Sequence, residues 1–79
     1  MAVRAYILIE AQVGKIRQVV EAVRGFEGVI SVDVVTGPYD AIAIVQGENL
    51  TEVGDLVTAK VHPISGISRT VTCLAVKSS

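Results

Sequence analysis

The stretch Val29-Ile30-Ser31-Val32-Asp33-Val34-Val35-Thr36-Gly37-Pro38-Tyr39-Asp40-Ala41-Ile42-Ala43-Ile44-Val45-Gln46-Gly47 decides the fold. Two runs rich in β-branched residues, 29–36 and 41–47, read as strands. Only Gly37-Pro38-Tyr39-Asp40 lies between them. Gly, Pro and Asp are turn formers, so the two runs make a hairpin. Ile30, Val32 and Val34 share one face of the first strand. Ala41, Ala43 and Val45 share one face of the second, and Ile42 and Ile44 occupy its reverse side.

The chain on either side of the hairpin repeats one pattern. Upstream, Val3 to Glu10 alternates as a strand. Val3, Ala5, Ile7 and Ile9 lie on one face, and Arg4, Tyr6, Leu8 and Glu10 on the other. Gly14 to Arg24 then carries Ile16, Val19, Val20 and Val23 at helical spacing. Gly25 and Gly28 end that helix, with Phe26 between them plugging the core. Downstream, Asn49-Leu50-Thr51-Glu52 carries a capping residue followed three positions later by Glu. Val53, Leu56, Val57 and Val61 continue a helical stripe that stops near His62-Pro63, because proline cannot continue a helix interior. Ile67 to Val76 is the last strand, with Ser68, Thr70, Thr72, Leu74 and Val76 alternating against Ile67, Arg69, Val71, Cys73 and Ala75. Lys77-Ser78-Ser79 is a short polar tail.

The order strand-helix-strand-strand-helix-strand is the split β-α-β, ferredoxin-like α+β arrangement: an antiparallel four-stranded sheet with two helices on one face. Right-handed connections place both helices on that same face. Residues 1–79 form one domain, since the chain is too short for a second. The opposite sheet face is left bare. A solvated face would alternate to polar residues, yet Tyr6, Leu8, Leu74 and either Ile42 and Ile44 or Ala41, Ala43 and Val45 remain on it. Such a patch marks an interface. Burial of several hundred Å² at roughly 25 cal/mol per Å² contributes on the order of 10 kcal/mol before association costs. Symmetric homodimerisation, giving a dimeric α/β barrel-like assembly, is the natural expectation.

Composition narrows the function classes. Net charge is −1 and the seven basic residues are scattered among acids, so no basic stripe exists for a nucleic-acid backbone. No apolar run reaches the roughly 20 residues of a membrane span, and no secretory signal precedes the first strand. Cys73, the one cysteine, cannot pair within the chain. It reads as small core filler in a reduced, cytoplasmic protein. His62, the one histidine, sits at a helix end as a solvated or capping side chain. No second His or Cys stands at metal-ligand spacing, no glycine-rich phosphate loop is present, and no acid–base pair is apparent. Catalytic residues, metal and cofactor are therefore expected to be none.

Two segments carry binding chemistry. Gly37, Pro38, Tyr39 and Asp40 read as a turn, but they also supply an aromatic wall and a carboxylate suited to an ammonium group. Thr70 and Thr72 suit a strand, but two hydroxyls on one face can also bond a carboxylate. Together they make a minimal kit for a free amino acid.

These segments also resemble a known family. Phe26-Glu27-Gly28-Val29, Val34 to Asp40, and Ile64-Ser65-Gly66-Ile67-Ser68-Arg69-Thr70-Val71-Thr72 are similar, in order and spacing, to the C-terminal ligand-binding (RAM) domain of the Lrp/AsnC, or leucine-responsive, transcription regulators. The resemblance covers essentially the whole chain. It implies dimers joined through their sheets and assembled further into rings, with free amino acids bound between dimers. It implies that Gly37, Tyr39 and Asp40 line the pocket, Pro38 shapes the loop, Asp40 holds the ammonium, and Thr70 and Thr72 reach in from the last strand of the same or an adjacent subunit. Full-length regulators carry a helix-turn-helix domain ahead of this module. The Met1 start favours a stand-alone effector module that senses amino acids, or that joins full-length regulators through the shared interface, without itself binding nucleic acid. Competing readings are a pure assembly partner with an empty pocket, an ACT-like amino-acid-binding domain using the loop around Gln12 to Gly14, and a small dimeric α+β barrel enzyme.

Overall fold

A computed structural model describes residues 2–76, so the polar tail 77–79 lies outside the described residues. The elements are β1 (Val3–Ala11), α1 (Ile16–Arg24), β2 (Val29–Val34), β3 (Ala41–Gly47), α2 (Leu50–Asp55) continued by a π-helical segment (Leu56–Val61), and β4 (Ile67–Leu74). The sheet order is β2-β3-β1-β4, and every neighbouring pair is antiparallel. The expected ferredoxin-like α+β architecture is present.

β1 sits in the middle of this sheet. Its residues Ala5, Ile7 and Ile9 pair with Val45, Ala43 and Ala41 of β3. All six are fully buried beneath Val19, Val20 and Val23 of α1 and Val53, Val57 and Val61 of the second helical region. Small alanines on β3 let these helices approach the sheet, while β-branched side chains fill the gap between. Among the described residues the core holds no polar or charged side chain. Phe26 packs half-buried against its edge, as expected.

Local signals explain the boundaries. The Asn49 side chain accepts a hydrogen bond from the Glu52 amide at 2.8 Å, which satisfies a donor that a bare helix start leaves free. The second helical region then departs from the uniform helix expected. In an α-helix of 3.6 residues per turn, side chains spaced strictly by four drift around the axis. The wider turn of residues 56–61, closed by the His62 amide donating to the Val57 carbonyl at 2.9 Å, offsets that drift. Val53, Val57 and Val61 consequently all face the sheet. Thr58 lies just inside the wide turn, and its hydroxyl donates to the Gly54 carbonyl at 3.0 Å, competing with the backbone ladder there.

Gly66 fixes the turn into β4. Its φ is +100°, and a Cβ there would stand 2.9 Å from the Lys15 Cβ, so glycine is required by both conformation and space. The contact seats the start of α1 against that turn, where the Gln12 amide also donates to the Gly66 carbonyl at 2.7 Å.

Four expectations need correction. Leu74 does not lie on the bare face: it pairs with the buried Ala5, so it points to the helix side, where it stays 44% exposed beside α2. The bare face instead carries Tyr6 and Leu8 of β1, Ile42 and Ile44 of β3, and Val71 and Cys73 of β4, as the registers Tyr6↔Ile44, Leu8↔Ile42, Tyr6↔Cys73 and Leu8↔Val71 require. Cys73 is accordingly exposed rather than core filler. Ile30 does not share a face with Val32 and Val34, because the β2–β3 register shifts between Val29 and Ser31 and turns it outward. Several ends are also shorter than their apolar runs: α1 starts at Ile16, β2 stops at Val34 and β4 stops at Leu74.

Substituting Asn49→Ala removes the cap without touching the core. It is expected to lower unfolding stability by about 1 kcal/mol, read as a reduced denaturant midpoint at unchanged slope.

Candidate functional site

The loop between β2 and β3 is shaped by Asp40. Its carbonyl accepts from the Val35 amide at 2.9 Å, which closes the hairpin. Its own amide donates to the Ile9 carbonyl at 2.8 Å, and its Oδ2 accepts from the Ala11 amide at 2.8 Å. The carboxylate thus satisfies a backbone donor where the β1–β4 register shifts between Glu10 and Ala11. This structural duty was not legible in the sequence, because it joins residues 29 positions apart. The second carboxylate oxygen is not used by this bond.

Gly37 has φ +145°, and a Cβ there would meet nothing within 4 Å. Backbone conformation alone, rather than lack of space, therefore calls for glycine at this point of the loop. Pro38 is exposed beside it, while Tyr39 is half-buried. The Tyr39 hydroxyl accepts from an Arg69 guanidinium nitrogen at 3.2 Å, and the guanidinium carbon lies 5.5 Å from the Tyr39 ring centroid. Arg69 is a site neighbour that composition and spacing did not single out. Its alternation with Thr70 and Thr72 on β4 placed it on the opposite face from them, without showing that Tyr39 reaches it.

The two threonines stand elsewhere. Thr70 and Thr72 pair with the buried Ile9 and Ile7, so both hydroxyls lie on the helix side of β4. Thr70 Oγ1 is 3.0 Å from His62 Nε2 at the end of the π-helical segment. Thr72 lines a shallow apolar groove of about 250 Å³ with Leu50, Val53, Val57 and Leu74. Arg69 pairs with Glu10 and belongs to the bare face. Within one subunit, then, Gly37, Pro38, Tyr39 and Asp40 are brought together with Arg69, while Thr70 and Thr72 open on the other side of β4.

Larger concavities do not coincide with these residues. A cleft of about 530 Å³ lies between the β2 start and the second helical region, lined by Glu27, Gln46, Glu52, Leu56 and Lys60 among others, and it contains none of the six. Among the described residues no group of three or more His, Cys, Asp or Glu side chains is placed to hold a metal ion, and no helix is long and apolar enough to cross a membrane.

Comparison with known proteins gives a consistent picture. The family model described as the Lrp/AsnC ligand binding domain matches residues 4–79. An uncharacterized HTH-type transcriptional regulator of Pyrococcus abyssi is 36% identical over 59 residues, which is 75% of this chain and 39% of that protein. The chain therefore spans about two fifths of the length of the curated relatives it matches. The crystal structure of TTHA0845 from Thermus thermophilus superposes with a TM-score of 0.93 at 32% identity, covering 98% of this chain and 96% of that one. The transcriptional regulator NMB0573 of Neisseria meningitidis, solved as a complex with L-Met, shares the fold at 17% identity and a TM-score of 0.83, over 95% of this chain and half of that one.

The Asp40 bonds predict a stability effect in the absence of any ligand. Asp40→Ala leaves the Ala11 amide without its partner and should cost about 1–3 kcal/mol in urea unfolding, whereas Asp40→Asn, which keeps an acceptor oxygen, should cost clearly less.

Proposed function

This chain belongs to the Lrp/AsnC ligand-binding domain family, and we propose that it is a non-enzymatic, homo-oligomeric sensor of free amino acids in the cytoplasm. Its site is the 37–40 loop, with Asp40 taking the ammonium group, Tyr39 contacting the ligand and Gly37 and Pro38 setting the backbone. Thr70 and Thr72 contribute hydroxyls from β4. Because those hydroxyls lie on the far side of β4 from Tyr39, they meet a loop-bound ligand most simply as part of a neighbouring subunit.

The observation that carries this reading is the loop itself. Asp40 is held in place by three hydrogen bonds, only one of which uses its carboxylate, and the next residue in the loop is the aromatic Tyr39. Support comes from the family match along the chain and from the L-Met complex of the Neisseria regulator, which shares this fold. The regulators among the relatives argue against an enzyme. The bare face supports assembly: Tyr6, Leu8, Ile42, Ile44 and Val71 are all half-buried in the single subunit, too apolar for a face meant for water. Dimers formed there would assemble further into rings, and a ligand bound between dimers would shift that assembly by its differential affinity for the two states. Joining full-length regulators through the same face is a second output of one device.

Two measurements test the proposal. In thermal-shift assays against the twenty protein amino acids, at least one is expected to raise the melting temperature, and Tyr39→Ala should abolish the rise. A flat response to all twenty sinks the sensing role. In light scattering, the wild type is expected to run as an oligomer and Ile44→Glu as a monomer, since the charge falls opposite Tyr6 in the middle of the bare face. An unchanged mass for Ile44→Glu rules out assembly through this face.

A further inference from the structure

A free amino acid presents two opposite charges, and the proposed site so far assigns a charged partner to only one of them. The structure places a second charge beside the loop. Arg69 is exposed on β4, at the end of the bare face nearest the loop. Its guanidinium is oriented by Tyr39 twice, through the hydrogen bond to the hydroxyl at 3.2 Å and through the ring at 5.5 Å. A guanidinium has five N–H donors in a fixed fork, and the Tyr39 hydroxyl takes one. The rest suit the planar, two-oxygen geometry of a carboxylate, and such charge-assisted pairs are roughly twice as strong as neutral ones.

The threonines are weaker candidates for that role. Thr70 Oγ1 is already within 3.0 Å of His62 Nε2, and Thr72 opens on an apolar groove. Neither carries charge. Arg69, by contrast, pairs with Glu10 while Asp40 Oδ2 accepts from the Ala11 amide, so a cation and an anion stand at the same end of β1.

We infer that Arg69 is the carboxylate-binding residue of the amino-acid site and that Tyr39 is the positioning residue that aims its guanidinium. This rests on the proposed amino-acid-sensing role. The zwitterion would lie along Tyr39, ammonium toward Asp40 and carboxylate toward Arg69. Thr70 and Thr72 are then left to read the ligand's side chain. The selectivity of the site follows from this pairing: it takes α-amino acids and rejects amines or amides that lack the carboxylate.

The test uses the full chain, with the twenty protein amino acids as probes, L-methionine first, and the carboxamide of each one that binds. Calorimetry is expected to show the acid binding at least about tenfold more tightly than its amide in the wild type. Arg69→Gln should weaken the acid by about 10- to 100-fold and leave the amide unchanged, so that the two converge. Arg69→Lys, which keeps the charge but loses the fork, should recover part of the preference. Arg17→Gln, on the exposed face of α1, should retain all of it. Equal folding of the unliganded variants is checked by their melting temperatures. If the wild type binds acid and amide alike, or if Arg69→Gln keeps the full preference, the inference is overturned while amino-acid sensing stands. If no amino acid binds the wild type, both are overturned.

Discussion

The helix-facing side of β1, Ala5-Ile7-Ile9, has to be apolar, and that constraint organises the rest of the molecule. β1 is the inner strand between β3 and β4, so its backbone groups are consumed by both neighbours. One face, Ala5-Ile7-Ile9, meets the helices, and the other, Tyr6-Leu8, meets only its cross-strand neighbours. A strand so placed cannot slip by one residue without exchanging these two sets. Its register with Ala41, Ala43 and Val45 therefore fixes β3, and its register with Thr70 and Thr72 fixes β4. The helices follow, because the valine stripes of α1 and of the second helical region have only the Ala5-Ile7-Ile9 side to cover. The unpartnered side follows as well, since both helices come to the same face.

Much of this was legible in the sequence. Alternation in 3–10, helical spacing in 16–23, the capping pair Asn49 and Glu52, and the hairpin at 37–40 all depend on neighbours within a few positions. Local physics decides them, and the structure agrees. What was missed involves partners far apart in the chain. The side taken by Leu74 and Cys73 depends on pairing with Ala5 and Tyr6, and periodicity within β4 cannot choose between its two faces. The outward turn of Ile30 depends on a register shift against β3. The widened turn at 56–61 depends on aligning Val53, Val57 and Val61 against a sheet that the helix sequence does not describe.

The candidate site shows the same division. Gly37 to Asp40 stood out because four turn residues in a row are conspicuous, and Thr70 and Thr72 because of their type and spacing. Arg69 did not stand out, because a lone arginine on an exposed strand is ordinary. Its significance comes from Tyr39, which the fold delivers from 30 residues away. Asp40, too, carries more than its place in a turn suggests. The bond from the Ala11 amide restrains the Asp40 carboxylate through one of its two oxygens.

The Asp40 bonds also have a kinetic corollary. The β2–β3 hairpin closes over a few residues, with Val35 and Asp40 as its innermost pair. Such local closures are the fast events of folding. The bonds from Asp40 to Ile9 and Ala11 are different, because they wait for β1 to dock from about 30 residues upstream. The loop therefore acquires its final shape only after the central strand is in place. A chain caught before that step would hold a well-formed hairpin with a slack tip. The 37–40 loop is thus completed after the hairpin that carries it, and its order reports that β1 has docked beside β3.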